Sequence, residues 1–241
     1  MRLAIISDIH GNLDAFREVL ADVDQNRVDG LACLGDNIGY GPESEEVVKL
    51  ISERDIPCIM GNHELAIVDP TYLDWMNPAA QRSLVITQEH LSQDTLSYIY
   101  NLRRSMIFHG CLCVHGCPPD SITTYLIEIS TMQLKELFLS MEEKMCFVGH
   151  THFLELISFD GEEVTRAPLR EGLNFIQRGQ RYIVNVGSVG QPRDGNNNAK
   201  YVVWDDPSGT IEVRFIPYDI AATARKILEL GYPKSHARRL W

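Results

Sequence analysis

The feature that most constrains this chain is a rhythm in its first 65 residues, where short apolar runs stop abruptly at glycine-flanked polar residues. Leu3-Ala4-Ile5-Ile6 ends at Ser7-Asp8, Leu31-Ala32-Cys33-Leu34 at Gly35-Asp36, and Pro57-Cys58-Ile59-Met60 at Gly61-Asn62-His63. Continuous apolar runs of this length predict buried strands. Between them, Leu13, Phe16, Leu20 and Val23 recur at helical spacing behind Asn12, a good N-cap, and Val47, Leu50 and Ile51 follow an acidic stretch suited to a helix N-terminus. The order β-α-β-α-β predicts an α/β fold with polar side chains collected at the carboxyl edge of a sheet, where open α/β sheets bind ligands.

The remainder continues the fold with a change of character. Residues 79–103 predict a long helix and 130–142 another, capped by Ser130 or Thr131, while 106–115 predicts paired strands turning at His109-Gly110. Alternating runs at 153–159, 162–167, 181–186, 199–204 and 210–216 predict further strands, and a last helix near 219–230 ends at Gly231. With no internal repeat and no low-complexity linker, the economical expectation is a single domain over 1–241: two packed sheets with helices outside.

A chain of 241 residues with 44% apolar content can bury a full core. No run approaches the ~18 apolar residues of a membrane span, and the polar loop from Ser7 comes too early for a signal peptide, so a cytoplasmic location is expected. The net charge of −11 opposes broad capture of duplex nucleic acid, although bound divalent metals would offset it locally and admit a phosphorylated substrate. Cys33, Cys58 and Cys146 lie in or beside apolar runs, and Cys111, Cys113 and Cys117 lack zinc-site spacing, so all are read as packing residues.

Taken singly, Asp8-x-His10, Asp36, Asn62-His63, His115 and His150-x-His152 each have an ordinary reading as turn, cap or satisfied histidine. Together they mean that five strand-like segments end in metal-capable side chains, each with a neighbouring glycine: Gly11, Gly35, Gly61, Gly116 or Gly149. Glycine permits the tight turns and close backbone approach that a compact ion cluster requires. Only His90 and His236 lie well away from these segments in sequence, and His109 reads as a hairpin residue. Carboxylate, amide and imidazole donors together favour Mn²⁺, Fe²⁺ or Zn²⁺, with Ni²⁺ and Mg²⁺ admitted.

The order Asp8-x-His10, Gly35-Asp36, Gly61-Asn62-His63-Glu64, His115-Gly116, Gly149-His150-Thr151-His152 resembles the calcineurin-like metallophosphoesterase superfamily. Gly39-Tyr40-Gly41-Pro42, the stretch Gly187 to Gly195, and the ending Gly231-Tyr232-Pro233 with Ala237-Arg238-Arg239-Leu240 are similar to small stand-alone bacterial and archaeal members. The resemblance implies a four-layer α/β/β/α sandwich. It implies one metal on Asp8, His10 and His152, another on Asn62, His115 and His150, and Asp36 bridging both. A hydroxide between ions roughly 3.5–4 Å apart would attack a phosphate ester in line, with His63 protonating the leaving oxygen or stabilising the transition state.

The sequence also departs from the eukaryotic-type phosphatases of that superfamily. Asn37-Ile38-Gly39-Tyr40 follows Gly35-Asp36, so the Asp that orients the histidine and the phosphate-binding Arg are both absent. Arg193 can supply that cation, against the alternative of an ion pair with Asp194. Asn12 and Tyr40 can approach the substrate or serve only as cap and turn. Trp75 can roof the pocket or stack a base, against the alternative that it anchors its own loop. A non-catalytic interaction scaffold on the same fold would be expected to have lost a ligand or His63, and here every position is filled. The resemblance leaves the substrate class open among phosphoproteins, dinucleoside polyphosphates, cyclic nucleotides and small phosphodiesters.

Overall fold

The computed structural model describes residues 1–241. The chain opens with strand β1 (Arg2–Ile6), helix α1 (Leu13–Gln25), strand β2 (Gly30–Cys33) and helix α2 (Ser44–Glu53). Three helices follow, α3 (Asn62–Val68), α4 (Pro78–His90) and α5 (Gln93–Tyr100). Next come the hairpin β3 (Ser105–Phe108) and β4 (Cys111–Val114), helix α6 (Thr131–Ser140) and strand β5 (Met145–Val148). The strands β6 (Leu154–Phe159), β7 (Val164–Pro168), β8 (Gly172–Phe175), β9 (Arg181–Val186), β10 (Ala199–Asp205) and β11 (Thr210–Ile216) precede helices α7 (Ile220–Glu229) and α8 (Lys234–Arg239).

Two mixed sheets form, ordered β2-β1-β10-β11-β8 and β3-β4-β5-β9-β6-β7. Strand periodicity sorts the layers, since successive side chains point to opposite faces. Leu3, Ile5 and Val202 of the first sheet meet Cys113, Phe147 and Val184 of the second in one buried cluster between the sheets. Their neighbours Ala4, Ile6 and Tyr201 face outward onto Phe16 and Val19 of α1 and Val47 and Ile51 of α2. On the far side, Val114, Val148 and Ile183 pack on Leu134 and Phe138 of α6. The result is the expected α/β/β/α sandwich. No helix is long and apolar enough to cross a membrane.

Several local expectations are corrected. Pro57–Met60 is not a full strand: it makes only isolated bridges, Cys33 with Cys58 and Ile59 with Arg103, because the proline has no N–H for the ladder and the chain turns at Gly61. The helix expected over 79–103 is two, because Ser92 starts a new one by accepting from Thr95 N at 3.2 Å. Helix α3, strand β8 and helix α8 were not expected; each is short, below the length at which periodicity is decisive. All six cysteines are free thiols, and five of them are buried.

Within the sheets β1 runs parallel to β2, and β4, β5 and β9 are mutually parallel. The loops leaving these strands meet through backbone bonds: Asp8 N to Gly35 O at 3.0 Å, Gly149 N to His115 O at 2.9 Å, and Gly190 N to Asp8 O at 2.9 Å. The parallel strands of both sheets therefore end at one edge.

Candidate metal centre and active site

At that edge the chain departs from ordinary backbone geometry. Nine non-glycine residues have positive φ, and six of them are Asp8, His10, Asp36, Tyr40, His150 and His152. Such conformations cost about 1–3 kcal/mol each and persist where surrounding structure fixes them, often at functional sites.

Each buried aspartate is held by one oxygen and leaves the other free. Asp8 Oδ2 accepts from the backbone N–H of His150 at 3.1 Å, while Oδ1 is buried without a hydrogen-bond partner, 3.2 Å from His152 Nε2. Asp36 Oδ1 accepts from His63 N–H at 2.8 Å, and Oδ2 stands 3.6 Å from His10 Nε2 and 3.3 Å from His115 Nε2. Asp36 thus lies between two donor sets. Ligand atoms of Asp8, His10 and His152 fall within 4.8 Å of one another, as do those of Asp36, His115 and His150, and those of His10, Asp36 and His63. Asn62 Oδ1, 3.2 Å from His115 Nε2, joins the second set.

The imidazoles are oriented from behind. Nδ1 of His10 bonds to Ile38 O at 3.1 Å, Nδ1 of His115 to Leu34 O at 2.8 Å, and Nδ1 of His152 to Gln191 O. A carbonyl only accepts, so each Nδ1 carries the proton, and a neutral ring then points a bare Nε2 inward. His10 Nε2 and His152 Nε2 are 3.1 Å apart, and two bare lone pairs at that distance repel unless a proton or a metal ion is shared between them. His150 is reversed: Nε2 donates to Thr123 O at 3.2 Å, which leaves Nδ1 as its ligand atom. The donor set, the orphaned Asp8 oxygen and the facing lone pairs all fit divalent metal.

Without metal the charges are poorly balanced. Burial opposes ionisation of Asp8 and Asp36, yet the surrounding histidines hold both carboxyls well below the usual range. Burial likewise opposes charge on His115, but Asp36 carries it up to about 10, while burial pushes His150 down to about 3 and His152 to about 4.

Glu64, to which sequence reasoning gave no role, holds the two central loops together. Its buried carboxylate accepts from Asp36 N at 2.9 Å, Asn37 N at 2.7 Å and Gly61 N at 2.9 Å. Its signal was its place three residues after the helix N-cap Gly61. A Cβ on Gly61 would lie 2.2 Å from Asp36 N and Oδ1, so only glycine lets these loops meet.

His63 is fixed by its backbone bond to Asp36 and by ring contacts with His10 and Tyr40 at centroid distances of 4.6 and 4.5 Å. Its Nδ1 is buried without a partner, and a Cβ on Gly39 would come within 2.2 Å of that atom. Burial pushes its pKa well below the usual value. Tyr40 also packs on His236, at 4.6 Å. His236 therefore abuts the site despite its distance in sequence, whereas His109 sits in the hairpin turn against Phe108.

Arg193 makes no ion pair with Asp194, which binds the buried Lys200 at 2.6 Å. Its guanidinium lies 5.9 Å from the Tyr40 ring centroid and reaches Gln191 Oε1 at 3.2 Å, leaving Nε buried without a partner. Asn12, by contrast, uses its carboxamide internally: it caps Ala15 N at 3.1 Å, donates to Gly190 O at 2.9 Å and accepts from Thr223 at 3.3 Å. The cap is the role that this geometry supports.

Comparison with known proteins places the chain in a family. The model of the calcineurin-like phosphoesterase superfamily domain matches residues 1–206, and the chain belongs to that superfamily. It is 30% identical over 244 residues to uncharacterized protein MJ0912 of Methanocaldococcus jannaschii, covering 99% of this chain and 97% of the relative. Among solved structures it is similar to a metallophosphoesterase from Sphaerobacter thermophilus, with a TM-score of 0.84, 34% identity and coverage of 100% and 98% of the two chains. Hypothetical protein PH1004 from Pyrococcus horikoshii OT3 shares the fold, with a TM-score of 0.79, 18% identity and coverage of 100% and 97%.

Proposed function

We propose that residues 1–241 act as one metal-dependent phosphoesterase domain that hydrolyses a phosphate ester. The observation that carries this reading is the set of overlapping donor triads sharing Asp36 and His10. Asp8, His10 and His152 would hold one ion and Asn62, His115 and His150 the other, with Asp36 contributing to both. Mn²⁺, Fe²⁺ or Zn²⁺ suits these donors best. When bound, such ions supply Lewis acidity and make water more acidic.

The chain's own residues do the rest. The carbonyls of Ile38, Leu34 and Gln191 fix which ring nitrogen faces the centre, and Glu64 keeps the Asp36 and Asn62 loops in register. Arg193, free of any carboxylate partner, binds the phosphate oxygens. Tyr40 lies against both Arg193 and His63. His63 acts on the departing oxygen, either by hydrogen bonding or by proton donation.

Metal-stripped protein reloaded with each of Mn²⁺, Fe²⁺, Zn²⁺, Ni²⁺ and Mg²⁺ and assayed on mono- and diester panels tests the reading. Turnover that needs added metal is expected, and no hydrolysis with any ion would overturn it. His63→Ala separates the two roles of that residue. Proton donation predicts a greater loss on alkyl than on aryl esters, up to about 10²–10⁴-fold, whereas hydrogen bonding predicts equal losses.

A further inference from the structure

A cleft of about 170 Å³ opens beside Asn62 and His150, walled by Tyr72, Trp75, Met76 and Tyr125. No Lys, Arg, Asp or Glu lines it. A polyphosphate tail or an acidic peptide calls for basic partners, and this wall offers none. Flat apolar faces with a few amide and hydroxyl groups instead suit an uncharged ring.

The wall is held in place without using its largest ring. Asp69 accepts from Thr71 N at 3.0 Å, and Asn77 accepts from Ala79 N at 3.1 Å and Ala80 N at 3.0 Å, which pins the loop at both ends. Trp75 is 82% exposed and has only Tyr72 as an aromatic neighbour, at 6.3 Å. The indole therefore does not anchor its loop. Tyr125, also on the cleft wall, stacks on His150 with centroids 3.9 Å apart, so the cleft continues directly to a ligand of the proposed centre.

We infer that this cleft receives an aromatic ring carried by the ester, so that the substrate class is arylalkyl or nucleoside phosphoesters. The inference rests on the phosphoesterase reading above. The ring lies between Trp75 and Tyr125 while its phosphate reaches Asn62 and His150.

Two matched pairs of substrates test it: benzyl against ethyl phosphate, and a nucleoside 5′-monophosphate against ribose 5-phosphate. Within each pair the leaving oxygen belongs to an alcohol, so the ring is the main difference. The ring-bearing member of at least one pair should show a kcat/KM higher by about 3–10-fold, the scale of one aromatic contact. Trp75→Ala should bring that ratio to within about twofold of unity. A preference in the benzyl pair alone identifies arylalkyl esters, and one in the nucleoside pair alone identifies a nucleobase. Calorimetric binding of benzylphosphonate and ethylphosphonate to the Mn²⁺-loaded protein gives a second readout. If no ester is hydrolysed but binding still favours the ring and depends on Trp75, the cleft stands and the catalytic reading falls. Ratios near unity in both pairs, or binding that is absent or indifferent to the ring, overturn the inference.

Discussion

Between the sheets, Leu3, Ile5, Phe147, Val184 and Val202 are fully buried and bring only apolar side chains together, whereas a few residues further along the same layers the chain buries Asp8, Asp36, His115 and His152. The first region loses free energy by removing apolar surface from water, about 25 cal/mol per Å². The second sets burial against charge, leaves Asp8 Oδ1 and His63 Nδ1 unpaired, and clusters left-handed backbone at non-glycine residues. The sandwich thus supplies the rigidity that lets its edge hold an arrangement unfavourable by itself, the usual relation between a scaffold and a strained site.

The sharpest way to break that contrast is Asp36→Asn. Loss of metal at both positions is expected, with kcat/KM falling by at least ~10³-fold, the upper scale on which a preorganised electrostatic group acts. The metal-free protein should also lose stability, by up to about 3–5 kcal/mol, since removing one partner of a buried charged pair leaves His115 without its counter-charge. Two tightly bound ions in this variant would defeat the bridging role.

Ile211→Ala tests the other region. Ile211 is fully buried between the sheets, so stability should fall by about 2–5 kcal/mol. Metal content and kcat/KM of the folded protein should change by less than about twofold, because Ile211 pairs with Trp204, which lies beside Leu3 at the start of β1, away from the Asp8 loop. Chemical denaturation paired with metal analysis reads both, and a large loss of metal would show that scaffold and site are not separable.

Arg193→Ala removes a cation but no proposed ligand. A rise in KM or fall in kcat/KM of about 10–100-fold is expected, the worth of a charge-assisted hydrogen bond, with metal content unchanged. Unaltered kinetics on every active ester would return Arg193 to a structural role.

The smallest effect concerns His236, which burial pushes down to about 4 although its ring donates toward Ala79 O. Its folded pKa lies below the unfolded value near ~6.5, so the unfolded chain binds more protons between the two. Its contribution is fully present above pH ~6.5 and is lost as pH falls toward 4. For metal-free protein, His236→Gln should flatten the wild-type decline across that window by about 1–2 kcal/mol. Parallel curves for the two proteins would dismiss the residue as the source.

The strand ends were legible because they combine two local signals, an apolar run and a glycine beside a metal-capable side chain, at His10, Asp36, His115 and His150. The capping boundary at Ser92 was equally local, but it lay inside a longer apolar pattern that suggested one continuous helix. Pro57–Met60 carried a strand-like composition, and its lack of a full ladder depends on what lies beside it. His236 was set aside because it lies 84 residues beyond His152, yet α8 returns its ring to Tyr40.

The sequence by itself determined the α/β layering and the order of the metal-capable side chains, since periodicity and turn chemistry act over a few residues. Only the tertiary structure decided which nitrogen of each imidazole faces inward, because the carbonyls of Ile38, Leu34, Thr123 and Gln191 that set this arrive from other loops. It also decided that Arg193 is left free, because Lys200 on β10 takes Asp194, and that Trp75 and Tyr125 face one cleft. Such pairings depend on which strands lie side by side, and no local pattern encodes that order.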